Sequence, residues 1–340
     1  MLGIIVLHYN NVNIGGGFKY VQLDSINYYI LSMLESLFIC SVNVYILISG
    51  FYLCNSQKRS MTKILILFLQ VILFSTGIYL SKIFVGDCKF TFRSLLSSVI
   101  PSNYFVVLYS ALFIISPYIN IVLKGLSDQK RKQLVFLLLL IFSVYPTLVD
   151  VFAEFTGREW RGLSSIGLYG SQWGYSIVNF VLLYIIGAYI RMNQVEFCKK
   201  KLGVILLLCV LVLAVWARIN ELMSYSGEKS AWAYSNPVVI VESAVMFLIF
   251  NNINIKSNII NYLAKGGFSV FLLHSLFIRK LNIEKYVGGN PLVLLMHLTL
   301  TSMIIYLVCW AAYFIYDKLM TPIHNLLTKY TKNFEVSTQD

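Results

Sequence analysis

The side chains able to do chemistry in this 340-residue chain are few, and most of them interrupt apolar runs. His8 closes the opening stretch MLGIIVLH, Glu35 and Glu242 break two hydrophobic segments, His274 lies in FSVFLLHSLFIR, and His297 sits among leucines. An ionisable group at membrane depth is costly unless it lines a cavity or finds a partner, so each of these is a functional candidate. A neutral imidazole can take a proton from a hydroxyl near neutral pH and return it later, which is the general-base role. His8 is the candidate for that role; the alternative is a structural histidine bonded to another helix. His274 stands between the same two readings. Glu35 and Glu242 could orient such a base, pair with a cation in the bundle, or act as polar packing contacts. His297 reads as structural, and His324 is assigned nothing.

A second informative stretch is SVNVYILISGFYLCNSQKRSMTK. Its small-residue step, Ser49-Gly50, would let another helix or a ligand approach the backbone closely. The run then ends in Lys58, Arg59 and Lys63. Such a cluster at a membrane mouth suits a phosphate-rich ligand through charge-assisted contacts, and ordinary topology marking explains it too. Other chemistries find no support. Cys40, Cys54, Cys88, Cys198, Cys209 and Cys309 are scattered, without a CxxC or Cys/His cluster, so neither a metal site nor a disulfide framework is expected. Gly15–Gly17 follow no strand and do not form a dinucleotide loop.

The elements that must position these residues are membrane helices. Hydrophobic residues make up 58% of the chain and charged ones 12%, and the mean hydropathy is +0.73. A water-soluble domain carries roughly a quarter charged residues. Apolar runs long enough to cross a bilayer recur near 28–53, 64–84, 104–123, 134–152, 175–190, 202–217, 238–250, 266–278 and 292–316. With the opening stub the expectation is an all-α, polytopic transmembrane helix bundle of about ten spans, the first of them truncated. More than half of the 27 basic residues, among them Lys58, Arg59, Lys63, Lys124, Lys130, Arg131, Lys132, Arg191, Lys199–Lys201 and Lys332, fall in one set of alternate loops. That set is expected inside the cell, with both termini. The formal charge of +12 is therefore read as topology and not as nucleic-acid binding. The long outer loop EFTGREWRGLSSIGLYGSQWGYS carries Trp160 and Trp173, either a platform for a sugar face or interfacial anchors.

Taken in order, LGIIVLHYN, SVNVYILISGFYL with KRSMTK, YFVVLYSALFIISPYINIVL, NFVLLYIIGAYIR and GGFSVFLLHSLFIR resemble the membrane-bound acyltransferase-3 family of bacterial glycan O-acyltransferases, in its capsule and exopolysaccharide branch. The resemblance implies one transmembrane acyltransferase domain over 1–320 and a short cytoplasmic tail over 321–340. It also implies a catalytic histidine at His8 and an arginine eleven residues earlier. That position precedes Met1, so Met1 is expected to be an internal methionine of the first helix. The implied activity moves an acyl group, acetyl in the first instance, from acyl-CoA to a hydroxyl of a surface polysaccharide or its lipid-linked precursor. Acetyl-CoA would then be a co-substrate, held by Lys58, Arg59 and Lys63, with Glu35, Ser49, Glu242 and His274 as further pocket residues. No bound cofactor is expected, and the implied location is the bacterial cytoplasmic membrane. The alternative function is a transporter or flippase of a glycan or acyl precursor, since intramembrane charges serve both classes.

Overall fold

The computed structural model describes residues 1–195, 197–223, 230–331 and 334–337; Lys332 and its place in the topology lie outside them. Many of the helices start where a side chain accepts from the first free backbone N–H groups. Ser25, Asn103, Ser127, Ser176, Asn236 and Asn290 all do so, and Pro237 and Pro291 follow two of these caps. In chain order the elements are α1 (Leu2–Asn10), α2 (Gly17–Tyr20), α3 (Ile26–Phe38), α4 (Ser41–Leu53), β1 (Lys58–Ser60), α5 (Met61–Val85), α6 (Phe92–Val99) and α7 (Tyr104–Gly125). Then come α8 (Asp128–Leu139), α9 (Tyr145–Thr156), α10 (Ile177–Met192), α11 (Lys199–Leu222) and α12 (Pro237–Asn251). The chain closes with α13 (Asn258–Lys265), α14 (Gly267–Ile278), α15 (Glu284–Val287), α16 (Pro291–Tyr330) and β2 (Glu335–Ser337).

This is an all-α polytopic bundle. Seven helical stretches among the described residues are long and apolar enough to cross a membrane; α10 and α14 are shorter apolar helices. Three departures from simple spans matter. The run from Ile26 to Leu53 breaks between α3 and α4 at Ile39 and Cys40. A π turn over Leu140–Val144 joins α8 to α9 just ahead of Pro146, whose missing N–H and ring cannot continue a regular ladder. Helix α16 continues past 320, so that boundary falls within a helix of 40 residues, about 60 Å long and twice a bilayer core. The chain beyond it returns as β2, which pairs antiparallel with β1, Arg59 opposite Val336.

Two large hydrophobic clusters and two smaller ones hold the bundle, and the large ones matter most for the site. One joins α4, α7, α10 and α12 through Ile46, Leu47, Leu112, Leu183, Tyr184 and Ile240. The other joins α1, α3, α14 and α16 through Ile5, Tyr9, Leu31, Val270 and Leu294. Helix α1 is apolar around its whole circumference, as expected of a helix enclosed by others, and its residues Gly3 to Leu7 are buried. The helix that carries His8 is therefore an interior one.

A histidine pair as candidate active site

Helix α14 brings a second imidazole to the first. Helices α1 and α14 run side by side in the same direction: Met1 lies against Gly267 at one end, and Arg279 donates to the Asn13 carbonyl (3.0 Å) at the other. Between these ends Nδ1 of His8 meets Nε2 of His274. The ring planes differ by 8°, and the centroids are 4.5 Å apart. His274 is buried, and His8 is half-buried.

The other nitrogen of His274 fixes the protons. Its Nδ1 lies 2.7 Å from the carbonyl of Val270, one turn back on the same helix. A carbonyl only accepts, so Nδ1 carries the hydrogen, and Nε2 of the neutral ring is left as an acceptor. His8 then donates through Nδ1, and its Nε2 keeps a lone pair. The chain Val270 C=O, His274, His8 thus presents one basic nitrogen, oriented by a partner 266 residues away in sequence.

The surroundings hold α1 in place. The Tyr9 hydroxyl meets Nδ1 of His297 at 2.9 Å, and His297 stacks on Tyr286 with centroids 3.7 Å apart. His297 is a structural pin between α1 and α16. Asn10 donates to Glu35 (2.9 Å) and to the Leu31 carbonyl (3.3 Å), so Glu35 binds α1 two residues beyond His8. An aromatic wall leads away from the pair: His274 to Phe271, Phe271 to Phe105, and Phe105 to Tyr109, with centroids 6.4, 5.3 and 5.8 Å apart. Ser49 reaches the far end of that wall, its Oγ 3.4 Å from the Tyr109 hydroxyl, while donating to the Tyr45 carbonyl.

Other predicted residues lie elsewhere. Gly50 serves a helix and not a ligand: a Cβ there would stand 2.1 Å from the Tyr184 carbonyl oxygen, and one at Gly187 would stand 2.3 Å from that of Leu47. Glu242 is fully buried on α12, neither oxygen in a hydrogen bond of standard geometry, with Cys40 at the α3–α4 break and Cys209 beside it. Of the basic trio, Lys58 and Lys63 are exposed, but Arg59 turns inward. It donates to Ser116 Oγ (2.9 Å), to the carbonyls of Leu53, Ser56 and Lys58 (3.0, 3.1 and 2.9 Å) and to the Tyr184 hydroxyl (3.5 Å). Its donors are spent on the ends of α4 and β1. In the loop between α9 and α10, Trp160 packs edge-on against Phe152, and the Trp173 carbonyl accepts from the Tyr234 backbone.

Sequence reading named both histidines without pairing them. Two residues it missed altogether are Asn10 and Phe271; the polar HYN step after the apolar run is the signal for the first.

A bundle of apolar, membrane-length helices with two imidazoles in contact between α1 and α14 defines a multi-pass membrane protein. This chain belongs to the acyltransferase-3 family, whose acyltransferase-domain model matches residues 1–316. No curated protein and no solved structure matches it.

Proposed function

We propose that this protein transfers an acyl group, acetyl in the first instance, from acyl-CoA to a hydroxyl of a capsule, exopolysaccharide or other surface glycan, or of its lipid-linked precursor. The observation that carries the reading is the His8–His274 pair. His8 Nε2 removes the hydroxyl proton as the glycan oxygen bonds to the thioester carbonyl carbon. The tetrahedral adduct then collapses by breaking the carbon–sulfur bond. The departing thiolate takes the proton back from His8, leaving an ester and free coenzyme A. The acceptor meets the pair from the outer side of the bacterial cytoplasmic membrane. The donor comes from the inner side, where Lys58 and Lys63 are open to its phosphates and both termini lie. Arg59 has no free role in this step, being used within the fold. The family match supports acyl transfer over the transporter alternative.

Deleting the gene and recording proton NMR of the purified surface polysaccharide tests the proposal. Acyl methyl signals should vanish on deletion and return with the wild-type chain, but not with His8→Ala present in the membrane at equal level. Return of the signals with His8→Ala would remove the histidine from the chemistry. No change on deletion would remove the function.

A further inference from the structure

Where α4, α7 and α10 end on the same side of the bundle, Asn55, Lys124, Arg131, Arg191, Met192 and Gln194 line an open recess of about 580 Å³. Three of these six residues are cations, and the structure uses them unequally. Arg131 is fixed: it donates to Asn193 (2.9 Å), to the carbonyls of Leu123 and Leu126 (3.1 and 2.7 Å), and to Asp128. It closes the end of α7, and Asp128 balances its charge. Lys124 makes one bond, to the Asn55 carbonyl at 3.3 Å. The Arg191 side chain makes no hydrogen bond among the described residues. Its guanidinium lies over the ring of Phe51, 5.0 Å from the centroid. Both cations come within electrostatic reach of Cys54 at the end of α4.

Topology marking and helix C-terminal capping do not account for this arrangement. Either purpose is met by cations dispersed at helix ends, whereas here two charges with no ion-pair partner among the described residues share one recess against their mutual repulsion. Arg191 is also pre-placed, because its guanidinium rests over the buried Phe51 ring while its N–H groups stay uncommitted among the described residues. A planar fork and a point charge converging on a space of ligand size is an arrangement suited to a phosphate group.

We propose that this recess is a phosphate-binding site, taking either the phosphates of the acyl-CoA donor or an anionic phospholipid headgroup. The first source rests on the function proposed above; the second does not.

Binding decides it without any turnover. The full chain, held in discs of neutral phosphatidylcholine, is titrated calorimetrically with adenosine 3′,5′-bisphosphate. In parallel, its melting temperature is followed as phosphatidylglycerol replaces phosphatidylcholine. The recess variant is Lys124→Ala/Arg191→Ala. The control is Lys130→Ala/Lys132→Ala, which removes the same charge from exposed positions on α8. Binding of the nucleotide, weakened about tenfold or more in the recess variant alone, assigns the recess to the donor. Saturable stabilisation by phosphatidylglycerol, lost in the recess variant alone, assigns it to lipid. The proposal is overturned if neither probe binds, or if control and recess variants weaken binding equally. A recess variant with an altered elution profile is replaced by Arg191→Gln, which keeps bulk over Phe51 and is judged by the same criteria. Loss of acyl transfer with intact nucleotide binding would sink the proposed function and leave this site standing.

Discussion

His274 gives its Nδ1 hydrogen to its own helix, and that commitment settles what its other nitrogen can do for His8. In the proposed reaction His274 is a positioning residue, since it would act on the reacting hydroxyl only through His8. A glutamine there can still offer an oxygen to Nδ1–H of His8, whereas a leucine cannot. General-base assistance contributes roughly 10²–10⁴ in rate. His274→Leu should therefore lower turnover by about 10²-fold, and His274→Gln should recover about tenfold of that, with the KM for acyl-CoA unchanged in both. Steady-state kinetics on purified protein separates the two, and equal rates for Leu and Gln would remove the orienting role. The neighbouring Tyr9–His297 contact carries a different expectation, because it fixes α1 without meeting the reacting atoms. Tyr9→Phe should cost about 1 kcal/mol of stability, read from thermal melting, and leave turnover within about twofold.

At the scale of elements, the α4–α10 contact and the Arg59 staple fix the half of the bundle beyond the aromatic wall. A Cβ at Gly50 would press directly on the Tyr184 carbonyl, so Gly50→Ala must push α4 and α10 apart, costing about 1–3 kcal/mol. Gly77→Ala on α5 meets nothing within 4 Å and should be neutral or slightly stabilising. Thermal melting of the two variants checks the contrast. Arg59→Leu would remove the donor that ties β1 to Ser116 and to the end of α4, while Asn120 still donates to the Leu53 and Ser56 carbonyls and Ser56 Oγ to that of Lys58, so it should cost about 1–3 kcal/mol. Lys63→Ala, at an exposed site, should leave the fold unchanged and raise the donor KM at most. How much of this was legible in sequence follows from the range of each signal. Spans show in local hydropathy, and so the apolar runs reappear as helices. The break at Ile39 and Cys40 does not show, because ICSVN contains neither Pro nor Gly; there Gly3 of α1 lies tight against Phe38 and Ser41. Arg59 read as part of a basic mouth because its neighbours Lys58 and Lys63 are basic too. Its inward turn depends on Ser116 and Tyr184, which are far away in the chain. Both imidazoles were visible as expensive residues, but their meeting depends on how α1 packs against α14.

For the whole molecule, orientation in the bilayer decides which chemistry can reach which end. Leu292, Met296, Leu300 and Ile304, four residues apart along α16, stay exposed and form a lipid-facing stripe, so the membrane lies across this helix and its neighbours. Two cysteines report the direction. Cys88 lies just past the end of α5, and Cys198 directly precedes Lys199–Lys201 at the start of α11, whereas Cys40, Cys54, Cys209 and Cys309 are buried. Helix α5 spans about 38 Å, which puts Cys88 on the opposite side from Lys63. If the basic loops face inward, a membrane-impermeant maleimide applied to right-side-out vesicles should label Cys88 and spare Cys198 until the membrane is opened. Single Cys→Ser variants identify each band. Labelling of Cys198 from outside would invert the bundle and turn the Lys124–Arg191 recess toward a compartment without acyl-CoA. Phospholipid would then be the one phosphate source left for the recess, and the donor would need another route to the histidine pair.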